Sequence, residues 1–259
     1  MRAPGDTMSA PRRLTAWVAA CVAGLAVAAA LPFDFAHYGN FQHMMRTGDT
    51  SAQVAMAALP QGTGRWGLGA TAGLRGEIVQ IDGRLLVSPG SDPQGRVRAP
   101  LADEGAVLLA SAQVGAWHDV AVPTDLDATA FERFLLDQAR RHGLAVEQPF
   151  VFRVEGRFPH LLWHVVTGEP APAGSSHGGG HGAGHGAGHA NAQSDMKLFR
   201  QPGASGQLIG VFSGAALEGA VSHPGERLHL HYVDAAQTVS GHVDRYSVGA
   251  GSTLKLPRP

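Results

Sequence analysis

The sequence predicts an α+β fold: mixed or antiparallel β-sheets in two sub-structures, with a few helices packed against them. Three observations carry this expectation. First, two β-rich runs, residues 76–81 and 84–87, are separated by Asp82-Gly83, the strongest short-range hairpin signal. Second, Leu228-His229-Leu230-His231 alternates apolar and imidazole side chains, and a turn at Ala235-Ala236-Gln237-Thr238 would bring Gly241-His242-Val243-Asp244 back beside it. Third, residues 127–142 place Phe131, Phe134, Leu135 and Gln138 on one helical stripe, behind a capping Asp127 or Thr129 and before Gly143.

With 259 residues, 44% of them hydrophobic and 16% charged, the chain has the composition of a globular protein. Its first thirty residues read differently. Arg12 and Arg13 precede an uncharged apolar run from Leu14 to Leu31 that ends in Ala28-Ala29-Ala30, the layout of a secretory signal. An uncleaved anchor formed by residues 14–31 is the other reading. Both place the remainder outside the cytoplasm, in the periplasm or the extracellular space. The single cysteine, Cys21, lies in this segment, so residues 31–259 contain no thiolate ligand or disulfide partner. Removing residues 1–30 takes away Arg2, Arg12, Arg13 and Asp6, leaving 17 basic against 20 acidic residues and a net charge of minus three. That balance is no nucleic-acid signature.

Along residues 31–168, Asp49-Thr50 is expected to cap a helix over 51–59, stopped by Pro60 and Gly62. In the hairpin that follows, Glu77 shares a face with Val79 and Ile81. A carboxylate on an apolar face needs a partner, either a metal or an arginine, unless it meets water at the strand end. Residues 149–156 and 158–166 read as strands. Residues 169–195 then change character: His177, His181, His185 and His189 recur every four residues in a Gly/Ala background. Helical alignment would stack these imidazoles, but each helical glycine costs about 1 kcal/mol relative to alanine. The segment reads as a flexible insert, either with weak affinity for divalent metals or as a plain linker. Residues 196–259 form the C-terminal β half, opening with a strand over 206–212.

The histidines of that half carry the chemistry. On a strand His229 and His231 share a face, with Leu228 and Leu230 turned to the other, so the leucine face is expected to be buried and the histidine face presented. An antiparallel return sets His231 across from His242 and Asp244 across from His229. Three imidazoles with a fourth position open match a catalytic zinc site. Two histidines at i, i+2 also occur as polar positions of a half-exposed sheet, but the third arrives at the same height on the partner strand.

In order, Gly67 to Gly69, Gly76-Glu77, Gly156-Arg157-Phe158, Gly206 to Phe212, Pro224-Gly225, His229-Leu230-His231 and Gly241-His242-Val243 resemble the α-acetolactate decarboxylase family. The resemblance runs from about Phe35 to about Val248, interrupted by the His-rich insert. It implies a zinc ion held by His229, His231, His242 and Glu77, with other divalent metals compatible. It implies that 2-acetolactate chelates the metal through its hydroxy-ketone, loses its carboxylate to leave an enediolate, and is protonated to acetoin. Asp244 is a candidate partner for the second nitrogen of a ligand histidine. Three positions depart from the pattern. His164 stands where the family has an active-site arginine and is the expected catalytic residue beside Glu77. Ala70 stands where the family has a threonine, with Thr71 one place along. No carboxylate follows Asp244, whereas the family carries a glutamate in its C-terminal tail.

The expected function is therefore zinc-dependent decarboxylation of 2-acetolactate to acetoin. The alternative is a non-catalytic periplasmic metal-binding protein that keeps the histidine centre and uses the insert. The expected partner is a small 2-hydroxy-3-keto acid and not a nucleic acid, with a homodimer and membrane anchoring left open.

Overall fold

The computed structural model describes residues 33–170 and 194–259 together with Met1. The segment read as signal or anchor, with Cys21, and the histidines of the insert lie outside the described residues. Within them the chain runs β1 (Phe35–Tyr38), α1 (Phe41–Thr47), β2 (Val54–Ala55), β3 (Arg65–Thr71), β4 (Gly76–Ile81), β5 (Arg84–Pro89), β6 (Gly105–Gln113), β7 (Trp117–Ala121) and β8 (Leu126–Asp127). It continues with α2 (Ala128–Arg141), β9 (Phe150–Phe158), β10 (Leu161–Pro170), β11 (Ser194–Arg200), β12 (Ala204–Phe212), β13 (Leu228–Asp234), β14 (Ser240–Val248) and β15 (Thr253–Pro257). The α+β class expected is the one adopted, and every strand pair is antiparallel.

Two sheets form. One has the order β1-β6-β3-β4-β5, with β2 added to β6; the other runs β11-β10-β14-β13-β12-β9-β15-β7, with β8 added to β14. The sheets lie against each other, β4 on β10 and β14, and β3 on β12. The outer face of the second sheet is covered by α2, where Phe131 meets Phe152 and Tyr246 at ring distances of 6.2 and 5.9 Å. The helix forms where its stripe predicts. Asp127 caps it by accepting a hydrogen bond from Ala130 N–H at 2.7 Å, and Phe131, Leu135 and Ala139 are its buried face.

The β4–β5 hairpin turns at Asp82-Gly83, both with positive φ (51° and 85°), as a two-residue turn of this hand requires. The α-helix expected over 51–59 is replaced by the short strand β2 and a 3₁₀ turn over Met56–Ala58. Asp49 Oδ1 accepts from Ser51 N–H at 2.9 Å, a turn two residues on rather than a helix cap, and Val54 is taken into the sheet opposite Ala106. A helix appears earlier instead, α1, capped by Asn40 and ended by Gly48 in the left-handed region. The strand expected to stop at Gly156 continues to Phe158. Glycine lets β15 approach there, since a Cβ would fall 2.2 Å from Ser252 Oγ.

The His-rich insert does not mark the boundary between the sheets. The halves expected at 31–168 and 196–259 divide the chain differently from the sheets, because β7 to β10 pair in the same sheet as β11 to β15. The strands on either side of the insert, β10 and β11, pair with each other as far as Pro170 with Ser194. The change of sheet comes earlier, between β6 and β7, and the described residues from Phe33 onward form one compact unit.

Candidate metal centre

The centre is built by register. His164 of β10 lies directly opposite His242 of β14, which lies directly opposite His231 of β13. Directly opposed residues in an antiparallel ladder point to the same face, so three adjacent strands bring three imidazoles side by side. His229 joins them two residues before His231 on the same face. The return expected at residues 235–238 is thus observed in the predicted register.

The histidine face, expected to be the presented one, is covered. The six-stranded sheet lies over it, His231 is fully buried, and Glu77 reaches in from β4 with 4% exposure. Leu230 on the opposite face is buried as well. The hairpin is therefore covered on both sides, and its polar face is the inner one.

One ring nitrogen of each of His229, His231 and His242 lies within 4.8 Å of those of the other two. His229 Nε2 and His242 Nδ1 are 3.1 Å apart, close to the roughly 3.3 Å edge of a tetrahedral zinc site with bonds near 2.0 Å. His229 Nδ1–H donates to the Val221 carbonyl at 2.8 Å, which leaves Nε2 as the bare nitrogen facing the others. Burial drives the His229 imidazole down to about 4 and those of His231 and His242 well below their usual range. All three are neutral at physiological pH and have lone pairs to give. Both nitrogens of His231 are buried without a hydrogen-bond partner, although the Ile78 carbonyl is near enough to favour its charged form. In the metal-free chain His242 Nδ1–H donates to His229 Nε2 across that 3.1 Å, and release of this proton from Nδ1 on binding would give three neutral ring nitrogens, a donor set that could hold a divalent transition metal. The residues fit such an ion.

Glu77 stands beside this set, its Oε2 3.6 Å from His231 Nε2 and its Oε1 4.0 Å from His164 Nε2. Burial pushes its carboxyl up to about 7, partly offset by the charge of His164 and by the Val166 N–H, which donates to Oε1 at 3.4 Å. His164 goes the other way from the remaining imidazoles. Burial lowers it, but a hydrogen bond from Nδ1 to Asp244 Oδ1 at 2.8 Å and the charges of Asp244 and Glu77 raise it overall. All five site residues inferred from the sequence are therefore brought together.

Asp244 does not serve His229, as strict alternation suggests. β14 is bulged there, Leu162 pairing with Arg245 and Trp163 with Val243, and the freed side chain turns to His164. The partner of His229 is the Val221 carbonyl instead. One residue was missed altogether: His223 sits with its ring 5.9 Å from His242 and 4.1 Å from Phe41 of α1, lowered to about 4 by burial and by nearby His164. A fourth histidine six residues before His229, just ahead of Pro224-Gly225, was the available signal. At the threonine position, Ala70 faces Glu77 across the β3–β4 ladder, and the β3–β6 register shifts between Ala70 and Thr71. Strand β15 lies beyond β12 and β9 from the histidine hairpin.

Comparison with solved structures finds this arrangement of strands in known proteins. Acetolactate decarboxylase from Bacillus subtilis subspecies spizizenii superposes with a TM-score of 0.64 at 14% identity, over 87% of this chain and 86% of that one. The fold is that of the acetolactate decarboxylases. The α-acetolactate decarboxylase of Bacillus subtilis strain 168 gives 0.65 at 14% identity and the same coverage. A Staphylococcus aureus protein of unknown function, similar to α-acetolactate decarboxylase, gives 0.58 at 14% identity over 86% of this chain and 85% of its own. No protein-family model and no curated protein sequence matches the chain. The resemblance first seen in scattered sequence motifs thus extends to an acetolactate decarboxylase-like fold.

Proposed function

We propose that the protein is a metal-dependent decarboxylase of a small 2-hydroxy-3-keto acid, with 2-acetolactate as reference substrate and acetoin as product. The observation that carries the reading is the convergence of His229, His231, His242 and Glu77 between the two sheets of an acetolactate decarboxylase-like fold. The three imidazoles would hold the metal and Glu77 would complete the set; zinc suits neutral nitrogen donors, and other divalent transition metals suit them too. When bound, the ion supplies Lewis-acid stabilisation of the negative charge that builds on oxygen as carbon dioxide departs.

The chain's own residues handle position and protons. His229 is fixed by the Val221 carbonyl and His164 by Asp244, so neither ring needs to reorganise when substrate enters. Carboxylate loss leaves an electron pair on the substrate that must accept a proton at carbon. With Glu77 on the metal, His164 at Nε2, 4.0 Å from Glu77 Oε1, is the group placed to hold one. Cover from the six-stranded sheet keeps bulk water from the buried nitrogens.

The test is direct. Metal-loaded protein is given racemic 2-acetolactate and acetoin is measured; formation no faster than the spontaneous rate refutes the decarboxylase. Stoichiometric metal without acetoin would favour the alternative, a metal-binding protein whose His-rich insert captures the ion. In that case deletion of residues 177–189 must lower the metal content below that of the full chain. Export belongs to the same proposal and is checked by locating the chain in cell fractions and sequencing its mature N-terminus.

A further inference from the structure

Asp244 enters the centre through an irregularity that the sheet itself does not need. It is the extra residue of the β14 bulge, with no cross-strand partner of its own on β10. A bulge gives up local ladder pairing and re-aims a side chain. The side chain re-aimed here sets Oδ1 2.8 Å from His164 Nδ1, with Asp244 8% and His164 11% exposed. Asp244 Oδ2 is buried with no hydrogen-bond partner. A carboxylate kept at that cost, with one imidazole as its recorded partner, points to function more than to packing.

The bond has a geometric consequence. A carboxylate only accepts, so His164 Nδ1 must carry a proton, and Nε2, 4.0 Å from Glu77 Oε1, is the nitrogen left for a ligand. The ring also packs against His242 at 4.8 Å. A half-turn about its Cβ–Cγ bond would keep that packing and exchange a nitrogen for a carbon at each end. The hydrogen bond to Asp244 removes this ambiguity.

We propose that Asp244 is a positioning residue acting through His164: it fixes the ring so that Nε2 meets one oxygen of the bound hydroxy-keto acid beside Glu77, and it takes no part in holding the metal. The kinetic side of this proposal rests on the decarboxylase reading; the geometric side does not.

The experiment uses the zinc-loaded full chain, labelled with nitrogen-15. Wild-type protein should show a slowly exchanging, downfield His164 Nδ1 proton, lost in Asp244→Ala and shifted back upfield in the isosteric Asp244→Asn. Asp244→Ala should lower kcat about 10- to 100-fold, as loss of orienting partners does, with KM and zinc content unchanged. In a His164→Ala background the same change should have no further effect. Persistence of the Nδ1 proton in Asp244→Ala, an added loss in the double variant, or loss of zinc would each overturn the proposal. If Asp244→Ala does not fold, the shift in Asp244→Asn decides the same question. If the wild-type protein forms no acetoin, the decarboxylase reading fails while the Nδ1 proton still tests the role of Asp244.

Discussion

Replacing His231 with leucine should change stability in opposite directions with and without metal. In the metal-free chain both His231 nitrogens are buried without a hydrogen-bond partner, and the nearby Ile78 carbonyl and Glu77 Oε2 hold the combined penalty to the lower part of the about 1–3 kcal/mol that each such group can cost. Leucine is close in volume and removes both, while an imperfect fit in a packed site returns up to about 1.5 kcal/mol. The net expectation is a gain of about 1–2 kcal/mol, or roughly 3–6 °C in Tm for a unit of this size. With zinc present the sign reverses. Free metal at a thousand times Kd stabilises the wild type by about 4 kcal/mol. Loss of a direct ligand should weaken the site at least about a hundredfold, since even outer partners are worth that much. That removes about 3 kcal/mol, enough to put the variant below wild type. Melting each protein by calorimetry in excess chelator and in excess zinc measures both differences. A variant less stable than wild type in chelator, or a wild type whose Tm ignores zinc, would show that these imidazoles are not an orphaned donor set.

The metal-free chain should lose stability on acidification. Burial holds His229 and His223 down to about 4, so the unfolded chain takes up protons first as pH falls from 6.5, and stability is lost through that window. Glu77 opposes this: burial raises it from 4.5 to about 7, so the folded chain keeps a proton that the unfolded chain has released, and stability falls as pH rises between those values. Glu77→Gln should therefore steepen the acid-side loss in urea midpoints taken in chelator, and an unchanged slope would argue against a buried, perturbed carboxyl. Gly241→Ala would place a Cβ 2.3 Å from the His164 carbonyl and 2.5 Å from the Trp163 ring, forcing β14 off β10. Calorimetric titration should show zinc affinity falling by an order of magnitude or more, whereas an unaltered Kd would mean the ladder tolerates the shift. Asp127→Ala removes the α2 cap and should cost about 1 kcal/mol, read as a Tm lower by about 2–4 °C with zinc content unaffected; a change in zinc content would tie α2 to the centre.

Much of the site was legible because its spacing is short and periodic. Alternation puts His229 and His231 on one face, and the return through the ten residues between them sets His242 opposite His231; only local geometry is involved, and the ladder has that register. Glu77 came from a resemblance, since nothing local ties a residue on β4 to one on β13. What failed did so where tertiary context overrode pattern. Asp49 looks like a helix cap, yet Val54 pairs with Ala106 at the edge of β6. His223 carried no periodic signal, because a loop places it and only the packing of Phe41 and His242 shows where its ring lies.

By itself the sequence determined the two hairpins, the amphipathic helix and the convergence of three imidazoles, because each is settled by side-chain periodicity and turn chemistry within about twenty residues. The tertiary structure alone decided the surroundings of those imidazoles. Sheet-on-sheet packing buries His231 fully and His229 and His242 in part, lowers all three imidazoles and sets Glu77 against them, and a single bulged residue sends Asp244 to His164 instead of His229. Burial and long-range register depend on how distant strands stack, and no local pattern encodes that.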